Sequence, residues 1–127
     1  MGAFCVFGIS RSACRKKAES KVPVQIPGGG GKTYSVVEWG EKVRAMTEVL
    51  FTEATRSERV SPELDAPQFC RDWLAAQPAE VRQPVIMCRA EKVDKNGNPI
   101  KRNGSLVMTW RKFDEVTGQP RREDVPA

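Results

Sequence analysis

PVIMCRAEKVDKNGNPIKRNGSLVMTWRKF, residues 84–113, decides the fold class. Its outer portions, PVIMCRAEKV and SLVMTWRKF, are rich in β-branched and aromatic residues without helical spacing, so they read as strands. The insert between them holds two Asn-Gly pairs, at 96–97 and 103–104. Asn-Gly is the strongest short signal for a tight hairpin turn, because both central positions need positive φ. Two pairs fit either one long hairpin with a looped tip or a three-strand meander with NPIKR as its middle strand. Pro99 puts such a middle strand at an edge, since proline cannot donate to a ladder. Alternation along the last strand places Leu106, Met108 and Trp110 on one face and Val107, Thr109 and Arg111 on the other. Trp110 then belongs either to a core or to a surface that stacks against a partner.

Upstream the period is helical. Ser35 and Glu38 form a capping-box pattern. Val36, Trp39, Val43, Met46 and Leu50 follow at gaps of three and four, predicting a helix over about residues 36–56 with those five on its inner face. Gly40 inside it costs roughly 1 kcal/mol against alanine. A second helix follows Asp65, its expected cap, with Pro67 in the first turn. Its apolar rows are Phe69 with Trp73 and Cys70 with Leu74, and Pro78 stops it. Near the start, AFCVFGI (residues 3–9) reads as a buried strand, and Ser10 or Ser12 caps a short basic helix after it.

These elements predict an α+β fold: two main helices and a short N-terminal helix packed on a small antiparallel sheet with a long C-terminal hairpin. The length of 127 residues suits a single domain, expected over residues 1–113. Residues 22–34, rich in glycine and proline, read as a flexible internal linker. Residues 114–127 have few apolar side chains and are expected to be a disordered tail.

Several chemistries are removed at this stage. IPGGGGKTY (residues 26–34) resembles a phosphate-binding loop only at its end, because Ile26 stands where G-x-x-x-x-G-K-[ST] requires its first glycine. The chain has no histidine, which excludes the commonest general acid–base and most catalytic triads. The four cysteines, Cys5, Cys14, Cys70 and Cys88, lack zinc-knuckle spacing. Cys14 alone has cationic neighbours that favour a thiolate, yet no catalytic motif surrounds it, and an exposed or half-buried helix cysteine is expected. No enzyme activity, metal or cofactor is expected. No apolar run approaches the ~20 residues of a membrane span. The opening MGAFCVFGI lacks the charged start of a secretory signal, and Val6 occupies the Ser/Thr position of the myristoylation pattern. The expected location is the cytoplasm, with no membrane partner.

Charge carries the functional signal. Residues 10–21 have a net charge of +4, residues 35–72 of −3 and residues 89–112 of +5. The hairpin cations Arg89, Lys92, Lys95, Lys101, Arg102, Arg111 and Lys112, with Arg11, Arg15, Lys16 and Lys17 of the first helix, are the candidate phosphate contacts. The bland account is a lysine-rich hairpin kept soluble by its charge. The leading expectation is a small non-enzymatic protein that touches nucleic acid or a nucleoprotein complex through the hairpin and the basic helix. The alternative is a protein–protein inhibitor or adaptor, such as the accessory proteins of phages and plasmids that act on host defence complexes.

Overall fold

One serine closes the first strand and opens the first helix. In the computed structural model, which describes residues 2–121, β1 spans Phe4–Ser10 and α1 spans Arg11–Lys21. The Ser10 hydroxyl accepts the Ala13 amide at 3.2 Å, which fixes the helix start. The chain continues through α2 (Val36–Glu53), β2 (Glu58–Arg59), α3 (Pro67–Ala75), β3 (Val81–Glu91), β4 (Lys101–Arg102), β5 (Ser105–Leu106), β6 (Met108–Asp114) and β7 (Gln119–Pro120). The fold is α+β, with a five-stranded antiparallel sheet in the order β2-β1-β3-β6-β7 and a separate β4–β5 ribbon. The short strand β2 carried no sequence signal.

Two compact units emerge. One is drawn from Met1–Phe7, Arg59–Ala76 and Pro84–Ala127, the other from Gly8–Glu58 and Gln77–Gln83.

In the second unit, α1 packs on α2. The buried residues of α2 are Val43, Thr47 and Phe51, four apart, facing Cys14, Ala18 and Val22 from the first helix and its end. The stripe expected from apolar spacing is therefore displaced. Trp39, Met46 and Leu50 flank the core half-buried, and Val36 is 88% exposed. The reason lies in Thr47, whose hydroxyl donates to the Val43 carbonyl at 2.7 Å and so enters the core satisfied. Ser35 caps the helix as expected, with the Glu38 amide donating to Ser35 Oγ at 3.1 Å and that hydroxyl donating to Glu38 Oε1 at 3.1 Å. At the other end Arg82 donates to the carbonyls of Phe51 and Ala54, capping α2 three residues before its expected end. The glycine-rich segment is a loop that folds back on itself: Tyr34 N–H donates to Val24 O, Ile26 N–H to Lys32 O, and Gln25 bridges Thr33. Gly28, Gly30 and Gly31 turn it with positive φ.

In the first unit, β1 pairs with the segment before α3. Phe4 bridges Leu64, and the Val6 amide donates to the buried Ser61 hydroxyl at 2.8 Å. Gly2 passes so close that a Cβ there would lie 2.3 Å from Leu64 N. Helix α3 begins one residue later than expected. Ala66 occupies the cap position without a side-chain bond, so Asp65 does not cap, and Pro67 sets the first helical φ. Cys70 is fully buried with Trp73 and Leu74 half-buried, while Phe69 is 51% exposed, contrary to the two-row expectation. From the expected tail, Gly118 N–H donates to Asp114 O, and β7 pairs Gln119 with Asp114 and Pro120 with Phe113. Residues 122–127 lie outside the described residues.

Candidate nucleic-acid interface

The β3–β6 ladder sorts the hairpin cations by face. Its register pairs Met87 with Lys112, Cys88 with Arg111, Arg89 with Trp110 and Glu91 with Met108. Directly opposed residues share a face, so Arg89, Trp110 and Lys112 project together while Arg111 projects with the buried Cys88. The Arg89 guanidinium lies 4.7 Å from the Trp110 ring centroid and also pairs with Glu63. Trp110 is half-buried beneath it, so one ring face is already covered. Arg111 is half-buried and engaged within the protein. Neither arginine is offered to a partner in the way the charge count suggested.

Beyond Glu91 the ladder forks, and the fork is closed by Ile100. Lys92 N–H donates to Val107 O, Ile100 N–H to Lys92 O, and Val107 N–H to Ile100 O, each at 2.8–2.9 Å. The backbone of Ile100 thus joins both sides of the opening, and Val93 bridges Pro99. This is the meander option, with both Asn-Gly pairs at turns. In the first turn Asp94 Oδ1 accepts the amides of Asn96 and Asn98 at 2.8 and 3.0 Å, and Gly97 has φ +83°. In the second, Asn103 and Gly104 take φ +53° and +79°, the positive pair that a type I′ turn demands.

The electrostatic consequence is local. Asp94 is the sole acid of residues 92–107, and its Oδ1 is committed to turn amides. Lys92, Lys95, Lys101 and Arg102 are exposed, and among the described residues none has a carboxylate within 4.0 Å. Lys101 and Arg102 are consecutive in β4 and leave on opposite faces, so the cations surround the tip instead of lining one side.

In the second unit the basic helix divides likewise. Arg11 pairs with Glu48, donates to Ala79 O at 3.2 Å and stacks 4.3 Å from the Phe51 centroid. It is part of the framework. Arg15 pairs with Glu19 at 3.3 Å, one turn away. Lys16 and Lys17 are exposed, with no carboxylate in reach among the described residues. Arg82, which no sequence pattern marked, is the framework cation on the other side, 6.0 Å from the same Phe51 ring.

The remaining reactive groups are buried. Cys14 packs against Ile9 and Phe51, not at the surface as expected. Burial raises the Cys5 thiol from its ordinary 9.0 to about 11, and raises Cys70 and Cys88 as well. All four thiols are free. Among the described residues no group of three or more Cys, Asp or Glu is placed to hold a metal ion. Lys32 and Thr33 are not delivered onto a helix, since α2 starts at Val36. No described helix is long and apolar enough to cross a membrane. The chain matches no protein-family model, no curated protein and no solved structure.

Proposed function

We propose that this chain is a small binding protein that contacts nucleic acid or a nucleoprotein complex through the tip formed by residues 92–107, without a catalytic step. The observation that carries the reading is the set of four exposed tip cations, Lys92, Lys95, Lys101 and Arg102, beside an acid already committed to turn amides. Cations with no internal partner are the ones whose phosphate contacts release counterions at no internal cost. Lys112 and the α1 residues Lys16 and Lys17 would add contacts of the same kind. Four free, buried thiols fit a reducing compartment, and we place the protein in the cytoplasm. Contacts of this type position a protein without reading sequence, so unrelated sequences should bind alike.

The test is binding of labelled duplex and single-stranded oligonucleotides across a salt series, by fluorescence anisotropy. Changing Lys95, Lys101 and Arg102 together to alanine should flatten the log–log salt slope by about two to three and weaken binding. Loss of binding to both forms at low salt in the folded parent would remove the nucleic-acid reading. A protein partner is the second reading. Leu106 and Met108, 42% and 45% exposed at the base of the tip, would then supply its apolar contacts.

A further inference from the structure

A glycine in the middle of a helix weakens it, so Gly40 needs a reason. Packing inside the protein does not supply one. A Cβ built on Gly40 meets no atom within 4 Å, so alanine would fit without displacing any part of the chain. Its φ is not in the left-handed region, so the backbone does not demand glycine either. What the missing side chain does is keep open a groove of about 200 Å³ between α1 and α2.

Besides Val43 and Thr47, the rest of the lining is charged, with cations in excess. Arg11 and Arg15 reach it from α1 and Arg44 from α2, against one acid, Glu48. Glu48 is paired with Arg11. Arg15 has only the exposed Glu19 one turn away, a type of pair that contributes little and opens readily. Arg44 has no ion pair among the described residues. The Thr47 hydroxyl is turned back onto its own helix. The donors left for a ligand are therefore guanidinium groups from two helices.

We propose that this groove is a phosphoryl-group site, in which Arg15 and Arg44 take the anion from opposite walls and Gly40 leaves room for the group bearing it. Two guanidinium forks on separate helices suit a dianion with three outward oxygens better than a carboxylate with two. None of its residues belongs to segment 92–107. Phosphate chemistry reaches it either from a free phosphorylated small molecule or from a nucleic-acid strand.

The test uses the full chain, with inorganic phosphate as probe and acetate as control, titrated by calorimetry at low salt. Phosphate should saturate and acetate should not. Arg44→Gln should weaken phosphate binding by roughly tenfold or more, the scale of one lost charged hydrogen bond. Gly40→Leu should raise the melting midpoint, because leucine is the better helix former, and abolish phosphate binding by filling the groove. The triple alanine variant at Lys95, Lys101 and Arg102 should still saturate with phosphate, which separates this site from the tip. The proposal is overturned if phosphate does not saturate, if acetate binds equally well, or if either Arg44→Gln or the stabilised Gly40→Leu protein binds phosphate like the parent. Once phosphate binding is established, a single-stranded oligonucleotide that displaces phosphate identifies the strand as the source. One that binds without displacing it identifies a free phosphorylated ligand.

Discussion

Replacing Phe51 with alanine should destabilise the protein more than replacing Trp39, although tryptophan is the larger residue. Phe51 is only 9% exposed and has guanidinium groups of Arg11 and Arg82 at 4.3 and 6.0 Å from its ring centroid. Truncating a buried phenylalanine costs about 3–5 kcal/mol, and the cation–π contacts add roughly 0.5–2 kcal/mol. Trp39 is half-buried and donates through its indole N–H to Val22 O at 3.2 Å. Halving the usual truncation cost and adding about 1 kcal/mol for the hydrogen bond gives roughly 2.5–3.5 kcal/mol. The two variants should therefore differ by about 1–3 kcal/mol, with Trp39→Ala the milder. Urea unfolding followed by circular dichroism at 222 nm measures both without depending on the deleted indole. The reasoning is refuted if Trp39→Ala costs as much as Phe51→Ala. It is also refuted if Phe51→Ala stays within about 0.5 kcal/mol of the parent, the range of an ordinary surface substitution.

Gly2→Ala should cost about 1–3 kcal/mol, because its Cβ would fall 2.3 Å from Leu64 N and 2.5 Å from the Glu63 carbonyl carbon; equal urea midpoints would contradict that packing. Ala79→Gly should stabilise by up to about 1 kcal/mol, since Ala79 sits at φ +60°, where a Cβ is strained; a loss in thermal midpoint would show that the strain is not there. Stability should fall as pH rises from about 9 toward 11. Cys5 ionises near 9.0 when exposed but near 11 in the fold, so the unfolded chain loses that proton first and gains population. The loss attributable to Cys5 is at most about 2–3 kcal/mol, read as the difference between parent and Cys5→Ala in urea midpoints across that window. Parallel profiles would mean that the thiol is not buried.

The fold class was legible because its signals are local. The Ser35 cap, the Asn-Gly pairs and the aromatic β-branched segments each act within four or five residues, and each is found where expected. What escaped depends on contacts distant in the chain. The face of α2 was read from apolar spacing alone, which passed over Thr47 and Phe51 in favour of Val36. A threonine becomes a core residue only when its hydroxyl bonds back to its helix, as Thr47 does to Val43. Strand β2 is two residues long and exists because Val60 and Ser61 reach the backbone of Val6, more than fifty residues earlier. In the glycine-rich loop, three of the glycines supply the positive φ that folds it back.

The same distinction governs the candidate site, and it shows why a charge count over-assigns. Every lysine and arginine adds one to a net charge, but its availability depends on what neutralises it. Arg11 is taken by Glu48, 37 positions away, and by the Phe51 ring. Arg89 is taken by Glu63, 26 positions away, and by Trp110 across the ladder. No reading of a basic run sees those partners, because folding brings them there. At the tip the one acid, Asp94, and the amides that occupy it lie within four positions of each other. The sequence therefore contains the whole local charge balance of residues 92–107, and the cations it marks there remain exposed in the fold. Arg44 reverses the case: it sits in a segment whose net charge is −3, where a count hides it, yet the helix places it on a groove wall with no acid of its own. The acids one turn away on α2 are Glu41 and Glu48, and Glu48, which shares the groove wall, is already taken by Arg11, so Arg44 has no ion pair among the described residues.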